Sequence, residues 1–350
     1  MKYRTLGDAG LRVSEISMGT FTFGGRGDFA MVGEQGVPEA RRLVDCCLDH
    51  GVNLFDCANM YSTGLAEEIL GEVLDGRPEP LVTSKVRMPI GDGPNDAGAS
   101  RYHILRECER SLKKLRRDRI DIYYLHEWDG SVPLEETLSA LETLIRDGKV
   151  RYVGCSNYSG WHMMKALGIA DRTGLPRFAT QQIHYTLEAR EAEYELLPAA
   201  VDQGLGTLVW SPLAAGLLSG KHRQGQYPAD GSRQSRGWSE PPIRDWERLW
   251  NIVDVLVDLA EARGATPAQM ALAWLLDRPS VASLVVGGSD TAQFEENIAS
   301  ADISLTDAER ARLDEVSTIP LLYPYWHQDQ FARDTFTSAD RALLPERFRG

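Results

Sequence analysis

Eight short runs rich in Val, Ile, Leu and Tyr recur along this chain, at 16–19, 53–58, 81–86, 120–126, 150–156, 179–183, 206–211 and 283–286, each bounded by Gly, Pro, Asn or Asp. Runs of that length and composition read as strands. Between them lie stretches with apolar residues at helical spacing, such as Leu134, Leu138, Leu141, Leu144 and Ile145, or Ile252, Val255, Leu256 and Leu259. A strand–helix unit repeated eight times dictates parallel strands with right-handed crossovers, and it predicts an α/β fold closed as a (β/α)8 TIM barrel. The doubly wound open sheet calls instead for a glycine-rich dinucleotide fingerprint after its first strand. The glycine cluster near that position, Gly24-Gly25-Arg26-Gly27, lacks the spacing.

The expected organisation is a single domain over 1–350 with the barrel at about 16–300. An N-terminal β-hairpin (3–6 and 12–14) precedes the barrel, and a helix (306–317) and a tail (321–350) containing Tyr323-Pro324-Tyr325-Trp326-His327 follow it. The segment 213–245, rich in Gly, Ser, Arg and Pro, is a long loop after strand seven, and loops of that length serve as lids or binding loops.

A formal net charge of −13 argues against a nucleic-acid partner. The one basic cluster, Lys113 to Arg119, falls at a helix end before a strand, where it complements the helix dipole. The N-terminal residues do not resemble a secretion signal, and no apolar run approaches the roughly 18 residues of a membrane span. Five cysteines (46, 47, 57, 108 and 155) show neither metal-ligand nor disulfide-framework spacing. The expectation is a cytoplasmic protein acting on a small molecule, with no metal, and compatible with homo-oligomerisation.

Four residues carry the chemistry. Asp56 and Tyr61 lie in N-L-F-D-C-A-N-M-Y, Lys85 ends L-V-T-S-K, and His126 ends I-D-I-Y-Y-L-H. In a barrel of this kind the C-terminal ends of the strands build the site, so Asp56, Lys85 and His126 are neighbours on one rim, with Tyr61 in the loop that turns over the mouth. A tyrosine with a pKa of about 10 is a sluggish acid near neutrality. A lysine ammonium beside it favours the phenolate and lowers that value, while an aspartate keeps the amine charged. Such a set is a general acid suited to reduction of a carbonyl, with His126 as a second donor to the oxygen. Taken singly, each residue has a plainer reading as a loop residue or a turn cap. No single turn or cap requires all four together.

The same segments carry a family resemblance. G-V-N-L-F-D-C-A-N-M-Y-S-T-G-L-A-E-E-I-L-G, followed in order by T-S-K-V, Y-Y-L-H, G-C-S-N-Y, Q-Q-I-H-Y and W-S-P-L-A-A-G-L-L-S-G-K, resembles the aldo-keto reductase superfamily over about residues 1–317. W-S-P-L and the late G-G-S-D-T-A-Q-F-E-E-N resemble the branch that contains potassium-channel β subunits and bacterial relatives.

The resemblance implies a barrel that binds NADP(H) without a Rossmann motif. It makes Asp56, Tyr61, Lys85 and His126 the catalytic tetrad, with Tyr61 as proton donor. It makes Ser156, Asn157 and Gln182 the partners of the nicotinamide carboxamide, and Trp210 the platform under the ring. Gly19, Thr20, Phe21 and Asp56 join the cofactor contacts. Ser211, Pro212, Leu213, Gly216 and Lys221 fold over the pyrophosphate, with Arg236 as a second cation and Arg233 its competitor. Gly287, Ser289, Gln293, Glu296 and Asn297 hold the adenosine end. Asp290 stands where many members place a cation for the 2′-phosphate, and the helix starting near Thr291 would offer its amides there. NADP(H) is the expected cofactor and NAD(H) the alternative.

A-G-L-L-S-G-K-H mimics a P-loop, but Ala215 and His222 replace its first glycine and its hydroxyl residue. For the substrate, Phe21, Tyr61, His126 and Trp128, with Trp210, would line an apolar mouth suited to an aldehyde or ketone, or to an alcohol or sugar in the reverse direction. The runner-up function is an NADP(H)-sensing auxiliary subunit with weak or vestigial reductase activity. A barrel glycosidase is a third reading, and it needs two carboxylates across the pocket. Asp56 beside Lys85 is a poor acid for that work.

Overall fold

The computed structural model describes residues 1–342. Ten strands occur among them: β1 (Tyr3–Leu6), β2 (Ala9–Ser14), β3 (Ile16–Gly19), β4 (Leu54–Asp56), β5 (Leu81–Val86), β6 (Ile120–Leu125), β7 (Val150–Ser156), β8 (Thr180–His184), β9 (Gly206–Trp210) and β10 (Val281–Val286). β1 and β2 form the antiparallel hairpin, and the other eight close into a parallel barrel in the order β10-β3-β4-β5-β6-β7-β8-β9.

Helices fill the connections: α1 (Val37–Asp49), α2 (Leu65–Val73), α3 (Arg101–Leu115), α4 (Leu134–Arg146), α5 (Gly160–Thr173), α6 (Leu196–Gln203), α7 (Trp246–Arg263), α8 (Pro267–Leu276) and α9 (Thr291–Ala299). α10 (Asp307–Val316), α11 (Tyr325–Phe331) and α12 (Ser338–Ala342) follow the barrel. Among the described residues no helix is long and apolar enough to cross a membrane.

The barrel strands are buried on both faces, which is why they read as near-continuous apolar runs rather than alternating ones. The lumen is filled with side chains. Leu54, Ile122, Tyr124, Leu208, Ala282 and Val285 pack with Leu6 and Val13 of the hairpin, which closes the lower end. Gly154 on β7 makes room for the Tyr124 ring, since a Cβ there would lie 2.5 Å from Tyr124 Cε1. At the hairpin turn, Gly7 has φ +59° and lies so close to Gly204 that a Cβ would approach its carbonyl oxygen to 2.2 Å.

The sequence left the role of the tail open, and its described part folds into α11 and α12. The Tyr325 ring stacks on Tyr194 at 5.1 Å, and α12 packs on α6, so the described part of the tail lies against the outside of the barrel near α6.

Candidate active site

Strand pairing sets the site's height. Gly19 lies opposite Asp56, Asp56 opposite Thr83, and Lys85 opposite Tyr124. The His126 amide continues this ladder by donating to the Val86 carbonyl at 2.8 Å. Side chains alternate along a strand, so Thr83 and Lys85 share one face of β5 while Ser84 takes the other. Ser84 accordingly donates outward to Glu67 on α2 at 2.6 Å, and Lys85 enters the barrel fully buried.

Lys85 Nζ uses all three of its protons there. It donates to Asp56 Oδ2 at 2.5 Å, to the Cys57 carbonyl at 2.9 Å and to the Tyr61 hydroxyl at 3.3 Å. The other Asp56 oxygen, Oδ1, accepts from Thr83 Oγ1 at 2.6 Å and from Gln182 Nε2 at 2.8 Å. Both buried charges are therefore paired and hydrogen-bonded, which a dry interior requires.

Tyr61 is carried by a tight turn in which Ser62 and Thr63 adopt φ values of 48° and 55°. Ser62 Oγ fixes this turn by donating to the Phe23 carbonyl at 2.6 Å and accepting from the Gly25 amide at 3.0 Å. Gly64 follows with φ +92°, a conformation that residues with a Cβ rarely adopt.

Burial pushes the Tyr61 phenol up, and Lys85 pulls it back only in part, leaving it at about 12. The expectation of a net lowered value is corrected here: desolvation outweighs the ammonium. Burial also opposes the charge on Lys85, but Asp56 and Tyr61 more than compensate and hold it at about 12. Burial first, then the charges of Lys85 and Arg87, hold the His126 imidazole well below its ordinary value, so it is neutral near pH 7. The set is thus a protonated phenol touching an ammonium, with a neutral imidazole beside it, its ring centroid 5.8 Å from that of Tyr61.

The mouth above Tyr61 is aromatic. Phe21 stands edge-on to Tyr61 at 5.0 Å and to Phe29 and Trp238 at 5.3 and 5.6 Å. Sequence reasoning did not single out Phe29 or Trp238, which lie in aperiodic loops. Trp128, expected in this mouth, joins a different aromatic group: it stacks on His162 at 3.9 Å and meets Tyr158 edge-on at 5.3 Å.

Next to the tetrad, Asn157 links two walls of the site. Its Nδ2 donates to the His126 carbonyl at 3.0 Å and its Oδ1 accepts from Trp210 Nε1 at 3.0 Å. Ser156 Oγ is buried with no partner. Its orphaned hydroxyl, the Trp210 indole and the groove beyond fit a nicotinamide dinucleotide.

That groove, a cavity of about 560 Å³, is lined by Ser211, Pro212, Leu213, Gly216 and Lys221 on one side and by Gly287, Ser289, Gln293, Glu296 and Asn297 on the other. Arg233 and Arg236 both reach it. Arg236 is exposed and Arg233 half-buried, its Nη2 3.7 Å from where a Gly287 Cβ would stand. Burial lowers the pKa of the Arg233 guanidinium. At the far end, Asp290 rather than a ligand caps α9: it accepts from the Gln293 amide at 3.0 Å and, through Oδ2, from Ser289 Oγ at 3.2 Å and Gln293 Nε2 at 2.9 Å. One of the amides expected to face a phosphate is thus already engaged.

Comparison with known proteins agrees with this architecture. Residues 15–318 match the model of the aldo/keto reductase family. The chain is 38% identical over 309 residues to a probable voltage-gated potassium channel subunit beta of Arabidopsis thaliana, covering 87% of this chain and 92% of the plant protein. It is also 38% identical over 325 residues to the uncharacterized oxidoreductase YrpG of Bacillus subtilis (strain 168), covering 89% and 94%. A putative channel subunit beta of Schizosaccharomyces pombe (strain 972 / ATCC 24843) is 34% identical over 327 residues, covering 90% and 92%. The chain belongs to the aldo/keto reductase family.

Proposed function

We propose that the protein is an NADP(H)-dependent oxidoreductase that reduces an aldehyde or ketone to an alcohol, or runs the reverse oxidation. The observation that carries this reading is the buried chain Tyr61–Lys85–Asp56, a phenol touching an ammonium that a carboxylate holds in place. The dinucleotide, when bound, supplies the hydride that the carbonyl carbon receives. Tyr61 gives its proton to the carbonyl oxygen, and the phenolate left behind is stabilised by Lys85. A phenol at about 12 does not ionise by itself near neutrality, so its proton is kept until a developing alkoxide draws it off. His126, being neutral, offers the oxygen a hydrogen bond rather than a second proton.

Ser156 would hold the carboxamide, the indole of Trp210 would support the ring, and Arg233 and Lys221 would meet the phosphates. These cations suit the pyrophosphate that both nicotinamide dinucleotides carry, and the choice of NADP(H) over NAD(H) follows the family resemblance.

A Tyr61→Phe variant that still quenches NADPH fluorescence on binding but loses turnover is the expected result; undiminished turnover removes Tyr61 from the role. The second reading, a dinucleotide-sensing auxiliary subunit, is favoured by the likeness to the probable channel subunit of Arabidopsis thaliana. Tight NADPH binding with no turnover over a broad carbonyl panel, together with a co-purifying partner, supports it.

A further inference from the structure

Arg87 is a cation at the catalytic rim that the chemistry above does not use. It follows the last residue of β5, two positions after Lys85. Its backbone is fastened on both sides: the Val86 carbonyl accepts from the His126 amide at 2.8 Å, and the Arg87 carbonyl accepts from the Gly98 amide at 2.8 Å. Between these bonds Arg87 is forced to φ +122°, a region that side chains with a Cβ rarely enter. Strain of this kind persists only where the surroundings impose it, and it gathers at ligand-handling positions.

The side chain is unusual as well. Its Nε is buried with no hydrogen-bond partner, and Nη1 reaches only the Met88 sulfur at 3.9 Å. The His126 amide bonds the carbonyl of the residue just before Arg87, which sets Arg87 beside the end of β6, and its charge acts on His126, Glu127 and Asp129 there. Neither carboxylate is within ion-pair distance of it among the described residues. Asp129 is spent on the Ala99 amide at 2.7 Å and on Ser131, whose amide and hydroxyl donate at 2.9 and 2.5 Å. Glu127 accepts from the Trp128 amide at 2.9 Å, and burial raises its pKa.

A half-buried guanidinium without a carboxylate partner, beside the imidazole that meets the carbonyl oxygen, is an anion site awaiting its anion. The apolar side of the same mouth, Phe21, Phe29 and Trp238, leaves the β6 side as the place where polarity is recognised. We propose that Arg87 anchors a carboxylate on the carbonyl substrate, so that the protein selects carboxylated aldehydes or ketones over neutral ones. The inference rests on the reductase reading of the same site. In a chain this acidic, an anionic substrate gains nothing from the overall field, and a fixed local cation has to supply the attraction.

The test pairs 4-carboxybenzaldehyde with its methyl ester, using wild type, Arg87→Gln and Arg87→Lys. Turnover is followed by NADPH oxidation, and binding by tryptophan fluorescence with NADP⁺ loaded, a state that cannot reduce either compound. The wild type is expected to prefer the carboxylate in kcat/KM and in binding by about 10-fold or more, the scale of one hydrogen-bonded charge pair. Arg87→Gln collapses that ratio towards one through KM, and Arg87→Lys restores part of it. Turnover with a ratio that Arg87→Gln does not change overturns the role of Arg87 and leaves the reductase reading standing. Selective binding lost in Arg87→Gln but without turnover in the wild type keeps the anion site and overturns the reductase reading. Neither turnover nor selective binding overturns both.

Discussion

The two halves of the site handle charge in opposite ways. At the ends of β4 and β5, Asp56 and Lys85 are paired with each other, and Thr83, Gln182, Tyr61 and the Cys57 carbonyl take up their remaining capacity. In the groove beside β9 and β10, Arg233 is half-buried with no acidic partner among the described residues, in a loop that runs from Leu213 to the start of α7. The first half is built to be the same before and after a reaction. The second is left electrically incomplete, which suits the phosphates of the proposed dinucleotide. Catalysis asks for pre-organisation, whereas reversible cofactor binding asks for charge held in reserve.

The largest effect is expected at the pre-organised half: Tyr61→Phe should lower kcat by about 10²–10⁴-fold while the NADPH dissociation constant, read by fluorescence, stays close to wild type. Lys85→Met should cost about 3–5 kcal/mol in urea unfolding, because Asp56 is left buried and unpaired. Adding Asp56→Asn should recover most of that loss. If the double variant is no more stable than the single one, the pair is not the electrostatic unit described above.

The reserve half should behave in reverse. Arg233→Ala is expected to weaken NADPH binding by about 10- to 100-fold at unchanged or slightly raised thermal stability, since removing a desolvated cation costs the fold nothing. Arg236→Ala, at an exposed position, should weaken it by much less. Equal losses at the two arginines would erase the distinction drawn between them.

A smaller test uses pH. His126 has its folded pKa depressed, so the unfolded chain takes up the proton first as pH falls. Its contribution to stability is complete above the unfolded value of about 6.5 and is lost progressively below it. His126→Gln should flatten the fall in urea midpoint between pH 6.5 and 5 by the equivalent of about 1–2 kcal/mol. Smallest of all, Arg87→Gly should raise stability by about 1 kcal/mol by relieving the backbone at φ +122°. A loss of stability instead would mean that the guanidinium is structural.

Much of this was legible in the sequence, for identifiable reasons. The ends of all eight barrel strands were read to within two residues, β4 being the shortest, with its regular pairing confined to Leu54–Asp56 against the expected 53–58. The tetrad was readable because each member ends or follows an apolar strand, where a polar residue stands out. Thr83 was not, since a threonine inside a strand looks like β-branched filling. Its two-residue spacing from Lys85 was the signal that could have exposed it. The places of Trp238, Phe29 and the two arginines, Arg233 and Arg236, depend on loop paths with no periodicity to follow. Trp128 shows the converse: a loop aromatic beside His126 turned towards α5, where the Trp161 and His162 rings gave it a better-packed face.

The hairpin plug has a consequence for traffic. With Leu6 and Val13 stopping the lower end of the barrel, the cofactor and carbonyl of the proposed reaction would both have to enter from the rim. On that reading, whichever ligand lies deeper would have to enter first and leave last.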